Sequence, residues 1–383
     1  MARIAILDPG AATTRATILG APLAAWQVRL ASTLGCERAF VLGAEMAPEL
    51  AAMQAEADRL GLKLRTIPDG RAVSAAVTVA DTLILLHPDL FVEDAASLAP
   101  LNERTMVAVL PAETTGMEGM ERLSAAHRWA GLASVPGRQG QALADLPPDV
   151  DVTSALLRAG IAAGSRAGAE ILRPRKNLPA ELRLLAADAD ALAVEHAIQT
   201  RRLGPRPVAP GAIVARAMGQ SLVRRRGDPA GTALWLAGGM VLFLAVAAGL
   251  AILVHPGAGA LALAPAWLFG GAARSAARLG NGRVLPGWLV DDAVPVGLAG
   301  CGFLAIGAVL QPIPAAFIAI AAPGWVALAG RHPSRLAALW RDGLLSALIV
   351  GAAMLAGYAT LAFAVWGLAA MLFVFATLGR SLD

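Results

Sequence analysis

The sequence predicts two unlike halves: an α/β domain built on a mostly parallel sheet, then an all-α domain of six transmembrane helices. Three observations carry this. Of 383 residues, 57% are hydrophobic and 16% charged, whereas soluble domains hold about 45–50% apolar and about 25% charged residues. Charge is also divided along the chain, with 17 acids against 12 Lys and Arg up to residue 150 and 11 against 20 after it. Finally, the first 150 residues alternate short apolar runs with helical periodicity, the pattern of a layered α/β domain. A fully soluble, disordered or collagen-like chain is excluded.

In the first half, Arg3–Leu7, Ala39–Leu42, Leu62–Ile67, Thr82–Leu86 and Thr105–Leu110 read as strands. Pro22–Leu34, Ala47–Leu60 and Ala72–Ala80 read as the helices between them. The apolar stretch at the N-terminus is shorter than the roughly 7–15 residues of a secretory h-region, so this half is expected in the cytoplasm. With only Cys36 and Cys301, neither a disulfide framework nor a cysteine zinc site is available.

Crossing a roughly 30 Å hydrocarbon core takes about 20 apolar residues. Six spans are expected, at 232–254, 257–273, 288–309, 314–330, 343–358 and 361–378. The loops alternate in charge. Arg274, Arg278 and Arg283 follow span two, and Arg331, Arg335 and Arg341 follow span four; the other connections, near His255, Gln311 and Tyr358, carry no Lys or Arg. The positive-inside rule then places both termini in the cytoplasm. Trp235, Trp288 and Trp340 fall where interfacial anchors belong. The net charge of +4 does not point to nucleic acid, because the basic residues are scattered over short membrane-flanking loops. The expected divisions are 1–165 for the α/β domain, 166–231 for a basic linker, and 232–383 for the membrane domain. Within the linker, 211–226 reads as an amphipathic helix on the membrane surface, ending in Arg224–Arg226.

Ligands in open parallel sheets bind beyond the carboxyl ends of strands. The first such end is Leu7-Asp8-Pro9-Gly10-Ala11-Ala12-Thr13-Thr14-Arg15, followed by Gly20-Ala21-Pro22-Leu23 opening a helix. This resembles the start of a GT-A-type sugar-phosphate nucleotidyltransferase, whose loop runs Leu-x-x-Gly-x-Gly-x-Arg with a Lys before Gly-x-Pro-Leu. The resemblance implies that Gly10 and Arg15 approach a nucleotide phosphate and that Asp89 holds a metal. In this chain Ala12 replaces the second glycine, Thr14 replaces the Arg, and no Lys precedes Lys63. The other reading of Asp89 is an ordinary loop cap.

The second half resembles the CDP-alcohol phosphatidyltransferases, six-helix membrane enzymes often fused to nucleotidyltransferase domains. Their pattern is Asp-x2-Asp-Gly-x2-Ala-Arg-x8-Gly-x3-Asp-x3-Asp. Ala277-Arg278, Gly287 and Asp291 match its second part at the right spacing. The resemblance implies carboxylates holding Mg or Mn across a CDP pyrophosphate, with Arg278 and Gly287 at the ligand. The remaining positions hold Gly270, Ala273, Arg274 and Pro295, so most of the carboxylates are missing. Asp292 and Asp342 are the replacements within reach. Asp291 and Asp292 are read equally well as acids favoured by a helix macrodipole.

Together these imply an integral protein of a bacterial cytoplasmic membrane, built like a bifunctional enzyme of polar-lipid head-group synthesis but catalytically degenerate. Its partners would be membrane lipids, a CDP-alcohol or nucleotide, and a second copy or an active paralogue in a dimer; without catalysis it needs no cofactor. The alternative is an active transferase with a rearranged Mg or Mn site of Asp291, Asp292 and Asp342. An unrelated transporter or scaffold is a third reading, against which stand the lack of an internal repeat and the placement of the acids at an interface.

Overall fold

The computed structural model describes residues 2–12, 15, 17–43, 49–93, 106–114, 120–147, 150–166, 172–174, 182–185, 187–280, 287–307, 312–330, 337–340 and 342–379. The chain divides into two compact units, Met1–Glu195 and His196–Asp383.

The first unit runs β1 (Arg3–Leu7), β2 (Thr17–Ile18), β3 (Ala21–Pro22), α1 (Leu23–Thr33), β4 (Arg38–Leu42), α2 (Leu50–Leu60), β5 (Lys63–Ile67), α3 (Gly70–Ala76), β6 (Thr82–Leu86), β7 (Leu90–Val92), β8 (Met106–Pro111), β9 (His127–Pro136), α4 (Arg138–Gln141), α5 (Val152–Arg166), β10 (Leu172–Pro174), β11 (Leu182–Leu184) and α6 (Asp188–Leu203), whose last residues belong to the second unit. Seven strands make one sheet in the order β10-β8-β9-β6-β1-β4-β5. All neighbours are parallel except at β9, which runs against both β6 and β8. The mostly parallel α/β sheet expected from the alternating pattern is therefore present, with the antiparallel β9 inserted into it.

Apolar alternation explains the layers. On β1, Ala5 and Leu7 face Val28, Leu30 and Met53 of α1 and α2, while Ile4 and Ile6 join the opposite core with Val73 of α3 and Leu156 and Leu157 of α5. A strand covered on both faces needs a continuous apolar run, which Ile4–Leu7 supplies. At the sheet edge, β5 exposes Lys63 and Arg65, charges that discourage pairing with another chain. Helix α3 starts and stops earlier than its periodicity predicts. Asp69 caps it by accepting from Ala72 N at 2.9 Å, and Thr78 N instead donates to the Asp81 carboxylate at 2.9 Å. The inserted strand β9 was not among the expected elements. It is seated by Gly131, whose φ of +90° favours glycine. A Cβ there would stand 3.0 Å from Leu184 and 3.1 Å from His87.

The second unit holds α7 (Pro210–Arg226), α8 (Pro229–Leu253), α9 (Pro256–Leu279), α10 (Gly287–Gly307), α11 (Pro312–Gly330), α12 (Ala337–Trp340), α13 (Gly343–Leu355) and α14 (Ala359–Gly379). Small residues set the helix crossings. Gly259 of α9 meets Ala247 and Ala251 of α8, Gly351 of α13 meets Leu261, and Gly367 of α14 meets Ala322 of α11. Close packing through glycine and alanine is how helices associate where lipid removes the hydrophobic drive. A helix, α7, stands at 211–226 as expected, and it packs against α9. Its buried stripe Gly211, Ala215, Gly219, Val223 lies on α9, and Ile213, Val214 and Arg224–Arg226 are exposed.

Six helices stand where six spans were expected, but among the described residues two, not six, are long and apolar enough to cross a membrane: Pro229–Leu253 and Ala359–Ala376. Helix α9 is diluted by glycines, Pro265, Arg274 and Arg278, and α13 has 13 residues. The apolar stretch described in α10 is the short Pro295–Ile306. Only 28% and 22% of the two long apolar stretches are buried, which is not how a soluble core helix sits. The basic residues Arg283, Arg331, Arg335 and Arg341 lie outside the described residues.

The buried Asp81 carboxylate ties the first unit together, accepting from Ala2 N and Thr78 N at 2.9 Å and pairing with Arg38 at 3.3 Å. Burial pushes its pKa up, but those backbone donors and the Arg38 guanidinium outweigh burial and hold it below the ordinary carboxylate value. A depressed carboxylate stabilises above the unfolded pKa and loses that contribution as pH falls through the folded one. Asp81→Ala is expected to destabilise the protein by roughly 2–3 kcal/mol at neutral pH. The deficit should shrink as pH falls below the ordinary carboxylate value in denaturant titrations that follow the β-sheet signal.

Candidate functional site

The sheet changes direction at β1. The chain passes from β1 to β4 and β5 on one side, then crosses to β6, with the later strands beyond it. The carboxyl ends of β1 and β6 thus form a topological switch point, the crevice where open α/β sheets bind ligands. Asp8 follows β1, and His87-Pro88-Asp89 follows β6. Asp151 arrives at this edge from far along the chain, and its Oδ1 caps α5 by accepting from Thr153 N at 2.9 Å and Ser154 N at 3.2 Å.

These groups feel one another. Burial raises the Asp8 pKa above the ordinary carboxylate value, opposed by the Ala11 N–H and reinforced by the Asp151 charge. Burial lowers the His87 pKa, against the pull of Asp89 and Asp151. The Asp89 N–H donates to His87 Nδ1 at 3.2 Å, so this nitrogen carries the lone pair. The His87 ring meets Trp129 edge-on at 5.5 Å. Among the described residues of this unit, three buried side-chain atoms have no hydrogen-bond partner: Arg3 Nε, Trp129 Nε1 and Thr153 Oγ1. Buried polar groups are rarely left so, and such atoms mark polar or ligand-bearing sites. An open groove of about 690 Å³ begins at Asp151 and is lined by Leu143, Leu146, Val150, Ser154 and Arg158. That volume falls within the range of small-molecule sites.

The residues that the nucleotidyltransferase resemblance singles out are spread along this edge. Gly10 sits in an exposed 3-10 turn capped by Asp8, and a Cβ there would make only an ordinary 3.5 Å contact with Asp8. No close approach requires the glycine. Arg15 is exposed and lines a recess with Pro9, Ala12, Glu49 and Pro88. About 10 Å³ is open there, a water's worth rather than a nucleotide's. Thr13 and Thr14 lie outside the described residues. Asp89 is buried, and its carbonyl accepts from Leu185 N at 2.9 Å, linking the turn between β6 and β7 to the residue after β11. Sequence reasoning missed Asp8, His87 and Asp151 as a group, since only folding brings residue 151 to residues 8 and 87.

In the second unit the motif positions fall on α9 and α10. Gly270 and Ala273 are buried in the helix packing, and Arg278 is exposed on the last turn of α9. Gly287 opens α10, and Pro295 lies inside it. Asp291 and Asp292 are helical residues of α10 whose side chains lie outside the described set. Asp342 is fully buried and engaged elsewhere: Oδ2 accepts from Gly211 N at 2.7 Å, and Oδ1 from Leu344 N at 3.1 Å and Leu345 N at 3.4 Å. One carboxylate thereby caps α13 and holds the first turn of α7, with the charge placed at two helix N-termini.

Mg or Mn would need several hard oxygen ligands in one place. Among the described residues no three His, Cys, Asp or Glu side chains assemble to hold a metal. With the Asp342 oxygens facing backbone N–H groups, the described residues do not fit a divalent centre. Comparison with known protein families and with curated proteins finds no match for this chain.

Two outcomes follow from this geometry. A histidine whose folded pKa is depressed stabilises fully above its unfolded value, near 6.5, and loses that contribution as pH falls through the lower folded value. Thermal stability should therefore fall as pH drops below about 6.5, and His87→Phe should flatten that slope. Asp342→Ala is expected to cost on the order of 3 kcal/mol, because three N–H donors lose a charged acceptor in a buried position. Scanning fluorimetry of the detergent-solubilised protein should show the loss equally with Mg²⁺ or with a chelator; a metal ligand would show it only with the ion.

Proposed function

We propose that this chain is a multi-pass membrane protein with the build of a fused nucleotidyltransferase and CDP-alcohol phosphatidyltransferase. In this reading it works without turnover, as a subunit that binds a nucleotide or lipid or partners an active paralogue. The observation that carries the proposal is the engagement of Asp342. Three acids occur between Thr232 and Leu378, and the one described in full is occupied by three backbone donors. A rearranged metal site built on Asp291, Asp292 and Asp342 would lose one of its three ligands. Two metal ions bridging a pyrophosphate would then face two carboxylates, too few to neutralise it.

The six helices at the expected positions, with Leu234, Leu242, Ile252 and Leu253 exposed on α8 and Leu361, Leu368, Leu372 and Phe375 exposed on α14, support the membrane reading. Apolar surface of this extent belongs against lipid. The finer arrangement we favour is six spans with both termini in the cytoplasm of a bacterium, in a homodimer or a heterodimer with an active paralogue. The switch-point cluster of Asp8, His87 and Asp151 supports a binding role for the α/β unit, with Gly10 and Arg15 beside it.

The test is a head-group transfer assay on the purified full-length chain with CDP-activated alcohols and either Mg²⁺ or Mn²⁺. No product above the protein-free control is expected. Metal-dependent transfer that disappears in Asp291→Asn would overturn the non-catalytic reading in favour of the rearranged site.

A further inference from the structure

The second unit carries fourteen arginines and no lysine against five carboxylates. Of the carboxylates described in full, Asp228 caps α8 by accepting from Ala230 N at 3.1 Å, and Asp342 is engaged as above. Neither neutralises an arginine. Positive charge is nevertheless gathered at one place by the packing of α7 on α9. These helices run side by side in the same direction: Gly211 meets Trp267, Ala215 meets Gly271, and Gly219 meets Ala272 and Ser275. Arg216 follows Ala215 on α7, and Arg278 stands one turn beyond Ser275 on α9. Arg206 lies in the segment leading to α7, next to Pro205. The Arg216 guanidinium is anchored there, its Nη1 donating to Gly204 O at 3.2 Å and Pro205 O at 2.8 Å.

Among the described residues, none of these three arginines pairs with a carboxylate. Burial, and after it the charges of Arg206 and Arg278, depress the Arg216 pKa. Arg216 therefore lies within reach of the charges of both Arg206 and Arg278. Arg206 and Arg278 are exposed and Arg216 is half-buried, so the cluster is open to a ligand. Fixing one guanidinium on backbone carbonyls while leaving its other edge outward pre-organises it for a planar, charge-assisted contact.

We propose that Arg206, Arg216 and Arg278 form a binding site for a phosphate-bearing anion at the junction of α7 and α9. A phosphate offers several anionic oxygens to three converging forks, and its charge relieves the repulsion at Arg216. The ligand is a phosphomonoester or pyrophosphate group, carried either on a soluble molecule or on a lipid head group. The inference rests on reading this chain as a binder of phosphate-bearing ligands and adds the residues that do it. It does not depend on whether the chain turns its ligand over.

The experiment uses the full-length protein in nanodiscs. One arm titrates pyrophosphate into discs of phosphatidylcholine; the other compares discs with and without phosphatidic acid, counting retained lipid by native mass spectrometry. Wild type is expected to bind in at least one arm, and more weakly at higher salt. Arg278→Gln, at an exposed position that should not disturb folding, is expected to weaken binding roughly tenfold. The triple variant Arg206→Gln, Arg216→Gln, Arg278→Gln should abolish it. A control that removes the same charge elsewhere, Arg65→Gln, Arg71→Gln, Arg225→Gln, should bind like wild type. Binding only in the pyrophosphate arm assigns a soluble ligand, and binding only in the phosphatidic acid arm assigns a lipid. Equal binding by wild type and the triple variant, equal loss in the control, or no binding in either arm overturns the proposal. Because binding is read without turnover, its failure is separate from the outcome of the transferase assay.

Discussion

A single buried carboxylate organises one end of the helical unit. Asp342 accepts from the first turn of α13 and from Gly211 of α7, so the N-termini of two helices from distant parts of the chain converge on one charge. Leaving any of these N–H groups unpaired in a buried place would cost about 1–3 kcal/mol, and the negative charge is further favoured by both helix dipoles. Gly211 and Gly343 let this happen. Side chains there would meet Asp342, Leu344 and Trp267. With α7 fixed at its start by Asp342 and along its length by Ala215 and Gly219 against α9, the position of every arginine on α7 follows.

This constraint bears directly on chemistry. A helical unit with five carboxylates has little acid to place in a metal site, and the fold directs Asp228 and Asp342 to helix starts. The arginines are left in excess. The same packing that engages Asp342 at two helix starts also gathers arginines at the α7–α9 junction, where we propose a phosphate-bearing anion binds. The α/β unit shows the opposite polarity at its switch point, where Asp89 and Asp151 act on His87 and Asp151 also on Asp8. An acidic edge with an exposed Arg15 and no lysine near the loop is a poor match for the phosphate cradle that the glycine loop resembles. Gly10 has no steric need to be glycine, in keeping with that mismatch.

Local signals served well where one element is stabilised by its own pattern. The apolar runs of β1, β4 and β6 announce strands buried on two faces, and the positions of the six helices follow from predominantly apolar stretches of sequence. They failed at β9, whose His-Arg-Trp-Ala-Gly-Leu-Ala-Ser-Val-Pro run has no clean alternation. That strand is held by pairing with both β6 and β8 and by Gly131 fitting under His87 and Leu184, contacts invisible along the chain. The end of α3 was misplaced for a similar reason, because Asp81 captures the Thr78 N–H that would have continued the helix.

The sequence by itself determined the division into an α/β half and an apolar helical half, because hydropathy period and charge density are local properties set by what each segment must bury. It also determined the scarcity of acids near the resembled four-carboxylate motif, which is a matter of composition. Only the tertiary structure decided what the remaining groups do. Asp342 proved to be a helix cap rather than an open ligand, Asp151 joined Asp8 and His87 across more than half of the α/β unit, and Arg206, Arg216 and Arg278 were brought together. Each depends on contacts between residues far apart in sequence, whose distances are fixed by helix and sheet packing and by no local pattern.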